Sequence, residues 1–523
     1  MIAAQSHYVP RLLPLRMPRL CVAVTGADAA EMIAKAESLA LDNPLLELRL
    51  DYLPDPAAAL PKVKQLLQSR SHTVIIATCR RAANGGKFRG SVERQLAVLA
   101  KAAASGCQIV DVELQSAVSA RPAELQRLRS RAALLLSFHD FRATRKLDET
   151  FAKMAAYPAE FYKLVTTATS LYDNVVTMKF LEQKSQKHSM VALCMGEQGI
   201  ISRVLGVRAG SVFTFAAASP GEETAPGQIS ARTLRDTYRI EQVDAATRVY
   251  GVAGDPVAHS LSPAAMNTAF RRENVNAVYL ALHAKTMDDL LACVRDIPLH
   301  GLSITMPYKE SIVKHLDNCD THTTRVGACN TVVRGPDGKL YGFNTDVAGV
   351  VRPLEQRLPL EHAKVLVLGA GGAARAAVFG LKERGAEVYI LNRTPAAAQK
   401  LARQAHARMA RRTELRKMNF DVIINATPLG MPGSKDSPLS EPEINCRYLL
   451  EMVYSPAETP LVKLARARGA QIIPGAEMFV HQAARQFEIW TGKPAPLQEM
   501  QRVVERGIQA AAAAQESKAR KKA

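Results

Sequence analysis

The chain has 523 residues, 47% of them hydrophobic and 22% charged, which suits folded domains of about 150 residues each and excludes bulk disorder. Aromatic residues make up only 5%, with Trp490 the single tryptophan, which argues against stacking platforms for nucleic acid. The formal charge of +19 fits a basic field for small anionic substrates, and no nucleic-acid-binding motif accompanies it.

Residues 1–17 form an extension that carries Arg11 and Arg16, no acid, and no apolar core of a secretory signal. No long apolar run follows anywhere, so no transmembrane helix and no membrane partner are expected. The eight cysteines include no CxxC pair, and neither half shows ligand spacing for a metal. A reducing setting, the cytoplasm, is expected.

Between residues 18 and 240, short β-rich runs recur: Leu20–Thr25, Leu45–Leu50, Thr73–Thr78, Gln108–Leu114, Ala133–Phe138, Phe161–Thr166, Met190–Met195 and Ser211–Phe215. Helical sequence such as AAEMIAKAESLAL and ERQLAVLAKAAASG fills the gaps. Strands alternating with amphipathic helices imply parallel pairing. Eight such units predict an α/β fold of the (β/α)8 TIM-barrel type, with an open doubly wound sheet as the alternative. A barrel carries its site where strands end, and polar residues cluster there: Glu47, Arg49 and Asp51; Arg80; Asp111 and Glu113; His139 and Asp140; Arg203.

Lys163 lies within the apolar run FYKLV, with no room to extend its ammonium to water. Burial is expected to depress its pKa and free the amine to attack a carbonyl, giving a Schiff base. His139, one strand earlier, can move protons near neutral pH. Singly, a carboxylate-paired lysine and a hydrogen-bonded core histidine would be the commoner outcomes. Together, near three arginines able to grip a carboxylate, they point to a site.

ELRLD, SFHDF, the FYK strand, MGxxGxxSR and ETAPGQIS resemble type I 3-dehydroquinate dehydratase over about residues 18–240. The resemblance implies that Lys163 forms an imine with the substrate ketone and that His139 is the proton carrier. It implies a substrate set of Glu47, Arg49, Arg80, Arg203, Thr224 and Gln228. Asn84 stands where that family usually has an acid, and Thr224 where it often has serine.

After a linker at 241–248 the pattern restarts. KVLVLGAGGAARAAVFGLKERG reads as strand, glycine-rich turn and helix, with Gly369, Ala370, Gly371, Gly372, Ala373 and Ala374 as a GxGxxA fingerprint. Such a turn lets backbone N–H groups at a helix start meet a pyrophosphate. The next strand ends in Asn392-Arg393-Thr394, with no acid for a ribose hydroxyl, which favours NADP over NAD. Upstream, GDPVAHSLSP, ITMPYKE, GACNTVV and GFNTDVAG supply Ser260, Ser262, Thr305, Lys309, Asn330 and Asp346, side chains suited to a polyol. A Lys–Asp pair among them could handle a proton at a reacting oxygen.

SLSP, TMPYK, FNTD, GAGGAARA, NRT, INATPLGM and GAEMFVHQ resemble shikimate dehydrogenase over about 249–507. This implies a two-domain α/β unit: a substrate domain at 249–355, completed by helices at 476–512, and a Rossmann-type NADP domain at 356–475. Lys309 and Asp346 would be the catalytic dyad. Ser260, Ser262, Thr305, Asn330, Tyr454 and Gln482 would face substrate. The glycine-rich turn, Asn392, Arg393, Thr394, Thr427 and Gly475 would serve NADP, with Met452 near the nicotinamide. Met266 replaces a common histidine, and Ala397 a second basic residue near the 2′-phosphate.

The two resemblances are to consecutive steps: formation of 3-dehydroshikimate from 3-dehydroquinate, then its reduction to shikimate. Three alternatives stay open at this point: an NAD-preferring quinate/shikimate dehydrogenase, a fusion with one inactive half, and a non-enzymatic regulator that reuses both folds to sense metabolites. Residues 513–523, with Lys518, Arg520, Lys521 and Lys522, read as a disordered basic tail. Oligomeric state is not readable.

Overall fold

A computed structural model describes residues 13–258, 260–297, 299–431, 433–434 and 436–522. Most of the N-terminal extension, including Arg11, lies outside the described residues. The chain divides into two compact units, Met1–Thr247 with Leu282–Ile297, and Arg248–Ala281 with Pro298–Ala523.

In the first unit eight parallel strands form one sheet: β1 (Leu20–Val24), β2 (Leu45–Arg49), β3 (Val74–Thr78), β4 (Ile109–Glu113), β5 (Ala133–His139), β6 (Phe161–Thr167), β7 (Met190–Met195) and β8 (Thr214–Ala217). Their order, β7-β6-β5-β4-β3-β2-β1-β8, follows the chain around, and β1 pairs with β8. A lone bridge from Met190 to Ser211 all but closes the barrel. The last strand starts three residues later than the sequence suggests. Gly210 turns with φ 105° and Ser211 Oγ donates to Phe213 O (2.9 Å), so the chain joins the barrel only from Thr214. The interior is apolar at its base, with Cys21, Leu45, Val74, Ile76, Phe161, Val191 and Phe213 packed together and Leu13 and Met17 against them. The segment expected as a linker is partly built into this unit. Ile240 and Val243 are buried, and Glu241 accepts from Arg19 N (3.1 Å).

The second unit holds two six-stranded sheets. The first is ordered β10-β9-β11-β13-β14-β12, from β9 (Arg248–Gly254), β10 (Ala277–His283), β11 (Leu299–Ile304), β12 (Asn318–Cys319), β13 (Thr331–Arg334) and β14 (Leu340–Phe343). The second comprises β15 (Lys364–Leu368), β16 (Glu387–Leu391), β17 (Arg408–Met409), β18 (Phe420–Asn425), β19 (Cys446–Glu451) and β20 (Gln471–Ile473). It is parallel throughout in the order β17-β16-β15-β18-β19-β20. Strand order reverses between β15 and β18, where open α/β sheets bind ligands.

Helices Gly475–Thr491 and Leu497–Lys522 return to the substrate sheet, where Phe479, Phe487, Trp490, Met500 and Val504 pack on Tyr250, Met266 and Phe270. Met266 is therefore a core residue. The basic tail is helical in backbone through Lys522, not disordered. The alanine run at 510–514 has the strongest helix propensity available, and cations suit the C-terminal end of the macrodipole.

Candidate active sites

In the barrel, register sets Ser137 beside Lys163 and Glu47 beside Ile76, so alternate residues of neighbouring strands converge on the interior. Lys163 is 3% exposed, and its Nζ donates to Asp111 Oδ2 (3.3 Å) and Glu47 Oε1 (3.5 Å) and lies 3.7 Å from the Phe215 ring centroid. Lys163 is thus a carboxylate-paired lysine, the commoner of the two outcomes its apolar strand left open. Two carboxylates on β2 and β4 compensate its charge, as a buried cation requires.

Asp111 is the hub. It also accepts from Arg80 Nη2 (2.9 Å) and Ser137 Oγ (2.5 Å). Arg80 Nη1 donates in turn to His139 Nε2 (2.8 Å). An arginine only donates, so this contact requires the tautomer with hydrogen on Nδ1, and that nitrogen is buried without a partner among the described residues. Burial, then the charges of Arg80, Lys163 and Arg49, push the His139 pKa well below 6.5. His139 is therefore a neutral imidazole at pH 7. Burial alone would raise the Glu47 pKa, but Lys163, Arg49 and Arg80 with the Thr78 hydrogen bond bring it down to about 2.

Arg49 forms a bidentate pair with Asp51 (3.0 and 2.9 Å). Arg203 is 1% exposed; Nη2 donates to Pro226 O (3.1 Å), while Nε has no partner among the described residues and burial lowers the pKa to about 10. Among the described residues no carboxylate pairs with Arg203, and a buried guanidinium so placed is a ready seat for a carboxylate. Thr224 N and Oγ1 both donate to Gln228 Oε1 (2.7 and 3.2 Å), so these two residues brace one another in the loop that meets Arg203. Asn84 sits in the loop after β3, its Nδ2 buried and without a partner.

In the second unit a cavity of about 1170 Å³ is lined by Ser260, Thr305, Lys309, Gly371, Gly372, Ala373, Thr427, Met452 and Tyr454 among others. Lys309, in the turn after β11, donates from Nζ to Asp346 Oδ2 (2.5 Å). Asp346 opens the helix Asp346–Glu355, where an anion is favoured. Its other oxygen accepts from Asn330 Nδ2 (2.8 Å), which also donates to Thr345 Oγ1 (3.0 Å) and reaches Gln482 Oε1 at 3.5 Å. Ser260 Oγ accepts from Ser262 N (3.2 Å). Of the expected polyol set and the Lys–Asp pair, Ser260, Thr305 and Lys309 line part of the cavity, and Asp346 and Asn330 connect to it through Lys309.

The other end is the glycine-rich turn. Gly369 has φ 113°, and a Cβ there would stand 3.0 Å from Ala426 O. At Gly371 a Cβ would meet nothing within 4 Å, which leaves open space before the first amides of the helix Gly372–Glu383. Ala370 packs at the edge of the core and Ala374 is wholly buried in it, so Ala374 holds helix to sheet and does not line the cavity. Gly475 is also a packing residue: a Cβ would lie 2.7–2.8 Å from the carbonyls of Glu451, Met452 and Val453. Asn392, Arg393 and Thr394 follow β16; Asn392 Nδ2 donates to Thr394 O (3.1 Å), and Arg393 and Thr394 are exposed.

The description Type I 3-dehydroquinase matches residues 20–245, Shikimate dehydrogenase substrate binding domain 252–332, Shikimate / quinate 5-dehydrogenase 353–432, and Shikimate 5'-dehydrogenase C-terminal domain 475–505. A bifunctional 3-dehydroquinate dehydratase/shikimate dehydrogenase of Arabidopsis thaliana, named as chloroplastic, is 33% identical over 509 residues, 92% of this chain and 83% of that protein. The chain belongs to this bifunctional family. The shikimate biosynthesis protein AroDE of Chlamydia pneumoniae is 29% identical over 90% of this chain and 95% of its own length. A shikimate dehydrogenase (NADP(+)) of Syntrophobacter fumaroxidans is 38% identical over 48% of this chain and 89% of its own.

As a family member the chain joins a lyase to an NADP-dependent oxidoreductase. The open cradle before the Gly372 helix fits a pyrophosphate, and exposed Arg393 with no acid beside it fits a 2′-phosphate. Among the described residues no cluster of three or more His, Cys, Asp or Glu could hold a metal, and no helix is long and apolar enough to cross a membrane. Sequence reasoning noticed Asp111 only as a strand-end acid. Its link to both Lys163 and Arg80 depends on contacts across β3, β4 and β6, which no local pattern announces.

Proposed function

We propose that the barrel dehydrates 3-dehydroquinate and that the second unit reduces the product, 3-dehydroshikimate, to shikimate. One observation carries the reading: a single chain holds an enclosed lysine beside a neutral histidine and, separately, a Lys–Asp pair on a cavity that reaches a nucleotide cradle.

In the barrel, Lys163 Nζ adds to the ketone as the free amine, and loss of water leaves the imine. The ammonium's proton passes to the carbinol oxygen that departs as water, so ammonium plus ketone gives protonated imine plus water, and Asp111 and Glu47 stay as the carboxylates that face it. The imine draws electrons from the adjacent C–H bond, and neutral His139 takes that proton on Nε2, the nitrogen that Arg80 holds in the free enzyme. The electron pair forms the new C=C bond and expels hydroxide, which His139⁺ protonates to water. Hydrolysis of the imine restores Lys163. Arg203 binds the substrate carboxylate.

In the second unit NADPH, when bound, supplies hydride. Gly371 and Gly372 leave the first helical amides open to its pyrophosphate, and Arg393 meets the 2′-phosphate. Lys309 donates a proton to the carbonyl oxygen as it becomes a hydroxyl, while Asp346 orders the ammonium and Asn330 holds Asp346. All eight cysteines are free thiols, which supports a reducing compartment such as the cytoplasm. The test is one cuvette with purified protein, 3-dehydroquinate and NADPH. Absorbance loss at the NADPH band is expected, and NADH should serve poorly. No loss even with added 3-dehydroshikimate would overturn the reductase reading; equal use of NADH would overturn the Arg393 argument.

A further inference from the structure

Two loops contribute to the wall of the cavity. One, after β18, contributes Thr427, Pro428 and Met431; the other, after β19, contributes Met452, Val453, Tyr454 and Ser455. Both are rooted on one carboxylate outside the cavity lining. Glu451, the last residue of β19, is 1% exposed. Its Oε1 accepts from Asn425 Nδ2 (2.9 Å) and from Val453 N (3.0 Å); its Oε2 accepts from Asn425 Nδ2 (3.1 Å) and Thr459 Oγ1 (2.7 Å). Asn425 Oδ1, so oriented, accepts from Thr427 N (3.1 Å) and Thr427 Oγ1 (2.7 Å). Asn425 Nδ2 also reaches Leu429 O at 3.3 Å. Thr459 Oγ1 accepts in turn from Val462 N (3.2 Å), capping the helix Pro460–Ala467 that ends the second loop.

The backbone of the second loop is held from its other side as well, because the carbonyls of 451–453 press on Gly475. Each element is short and local, yet together they restrain Thr427, Met452 and Val453. We propose that Glu451 is a positioning residue of the dehydrogenase: it clamps both loops at their roots and thereby sets affinity for the dinucleotide without touching it. The proposal rests on the assignment of this cavity to NADPH. Burial raises the Glu451 pKa even against its hydrogen bonds, which marks the site as one where a carboxyl is retained at a cost.

Full-length Glu451→Gln and Glu451→Asp test it. Gln keeps the shape but turns one acceptor into a donor facing Asn425 Nδ2, Val453 N or Thr459 Oγ1. Calorimetric titration with NADP⁺ should show Kd raised about 10- to 100-fold for Gln, the range for a buried polar group left unsatisfied. KM for NADPH should follow, while KM for 3-dehydroshikimate stays within about threefold. Without nucleotide, amide exchange at Thr427 and Val453 should quicken. Asp, which keeps the charge on a shorter stem, should recover part of the affinity.

Kd within about twofold of the parent despite faster exchange would overturn the clamp, as would equal rises in both KM values. Dehydratase activity of the same chain reports on recovery of folded protein. Should Gln melt the dehydrogenase half, Asp decides in the same assays, an unchanged Kd counting against the proposal. Failure of the parent itself to bind NADP⁺ would refute the cavity assignment instead.

Discussion

Asp346→Asn isolates the Lys309–Asp346 pair with little change of shape. Asp346 is 4% exposed; one oxygen accepts from Lys309 Nζ at 2.5 Å and the other from Asn330 Nδ2 at 2.8 Å. An asparagine amide must turn its NH2 toward one of these two donors, so one contact becomes donor against donor. If Lys309 loses its partner, a charge-assisted hydrogen bond worth about 1.5–3 kcal/mol is forfeited, and the ammonium is no longer aimed at the reacting oxygen. Lys309 is a quarter exposed, so water screens part of the Coulomb energy and the larger figures for a dry ion pair do not apply. A loss near 3 kcal/mol in the transition state corresponds to roughly 100-fold in kcat. The KM for 3-dehydroshikimate should move little, because Ser260, Thr305 and Gln482 remain. The assay is NADPH oxidation with 3-dehydroshikimate, with dehydratase turnover of the same sample as the standard for active chain. A kcat within about threefold of the parent would refute the reasoning, since neither charge nor geometry at Lys309 would then limit the reaction.

Lys163→Ala should abolish dehydratase turnover and leave the reductase intact; borohydride with product should trap a covalent adduct on Lys163 of the parent only, by peptide mass. For the His139 base, whose pKa lies well below 6.5, dehydratase kcat/KM should hold its plateau below pH 6.5, and an acid limb at or above 6.5 would contradict the buried, Arg80-flanked imidazole. Folding linkage has the same sense there: below pH 6.5 the unfolded histidine takes a proton that the folded one refuses, so stability declines with acid. Glu47 adds to this, since a carboxyl at about 2 in place of 4.5 contributes roughly 3 kcal/mol above pH 4.5 that is lost as pH falls toward 2. Denaturant titrations across pH 2–7 measure both, and Glu47→Gln should flatten the lower part of the curve. Arg393→Ala should raise KM for NADPH at least about tenfold and leave NADH kinetics unchanged; a parallel change in both would remove Arg393 from the 2′-phosphate.

The chain's local chemistry declares much of this protein. Short β-rich runs separated by amphipathic helices announce a barrel because parallel strands need crossovers, and seven of the eight runs lie within a residue or two of the observed strands. Gly369 to Gly372 declare a nucleotide cradle, because Gly369 takes a positive φ in the turn and Gly371 leaves open space before the helix amides. The contents of the sites were less legible. The apolar strand around Lys163 allows a free amine or a carboxylate-paired lysine without naming the partners, which are Glu47 and Asp111, 116 and 52 residues away. Ala374 and Gly475 sit in motif-like strings, but packing assigns them to the scaffold. Glu451 sits in an unremarkable strand end, and only the adjacency of β18 and β19 brings Asn425 to it. A sequence states which residues are apolar, bendable or chargeable, since those are properties of single side chains. Which charge faces which is decided by strand order and register, because hydrogen bonds of 2.5 to 3.5 Å join residues that only the folded chain makes neighbours.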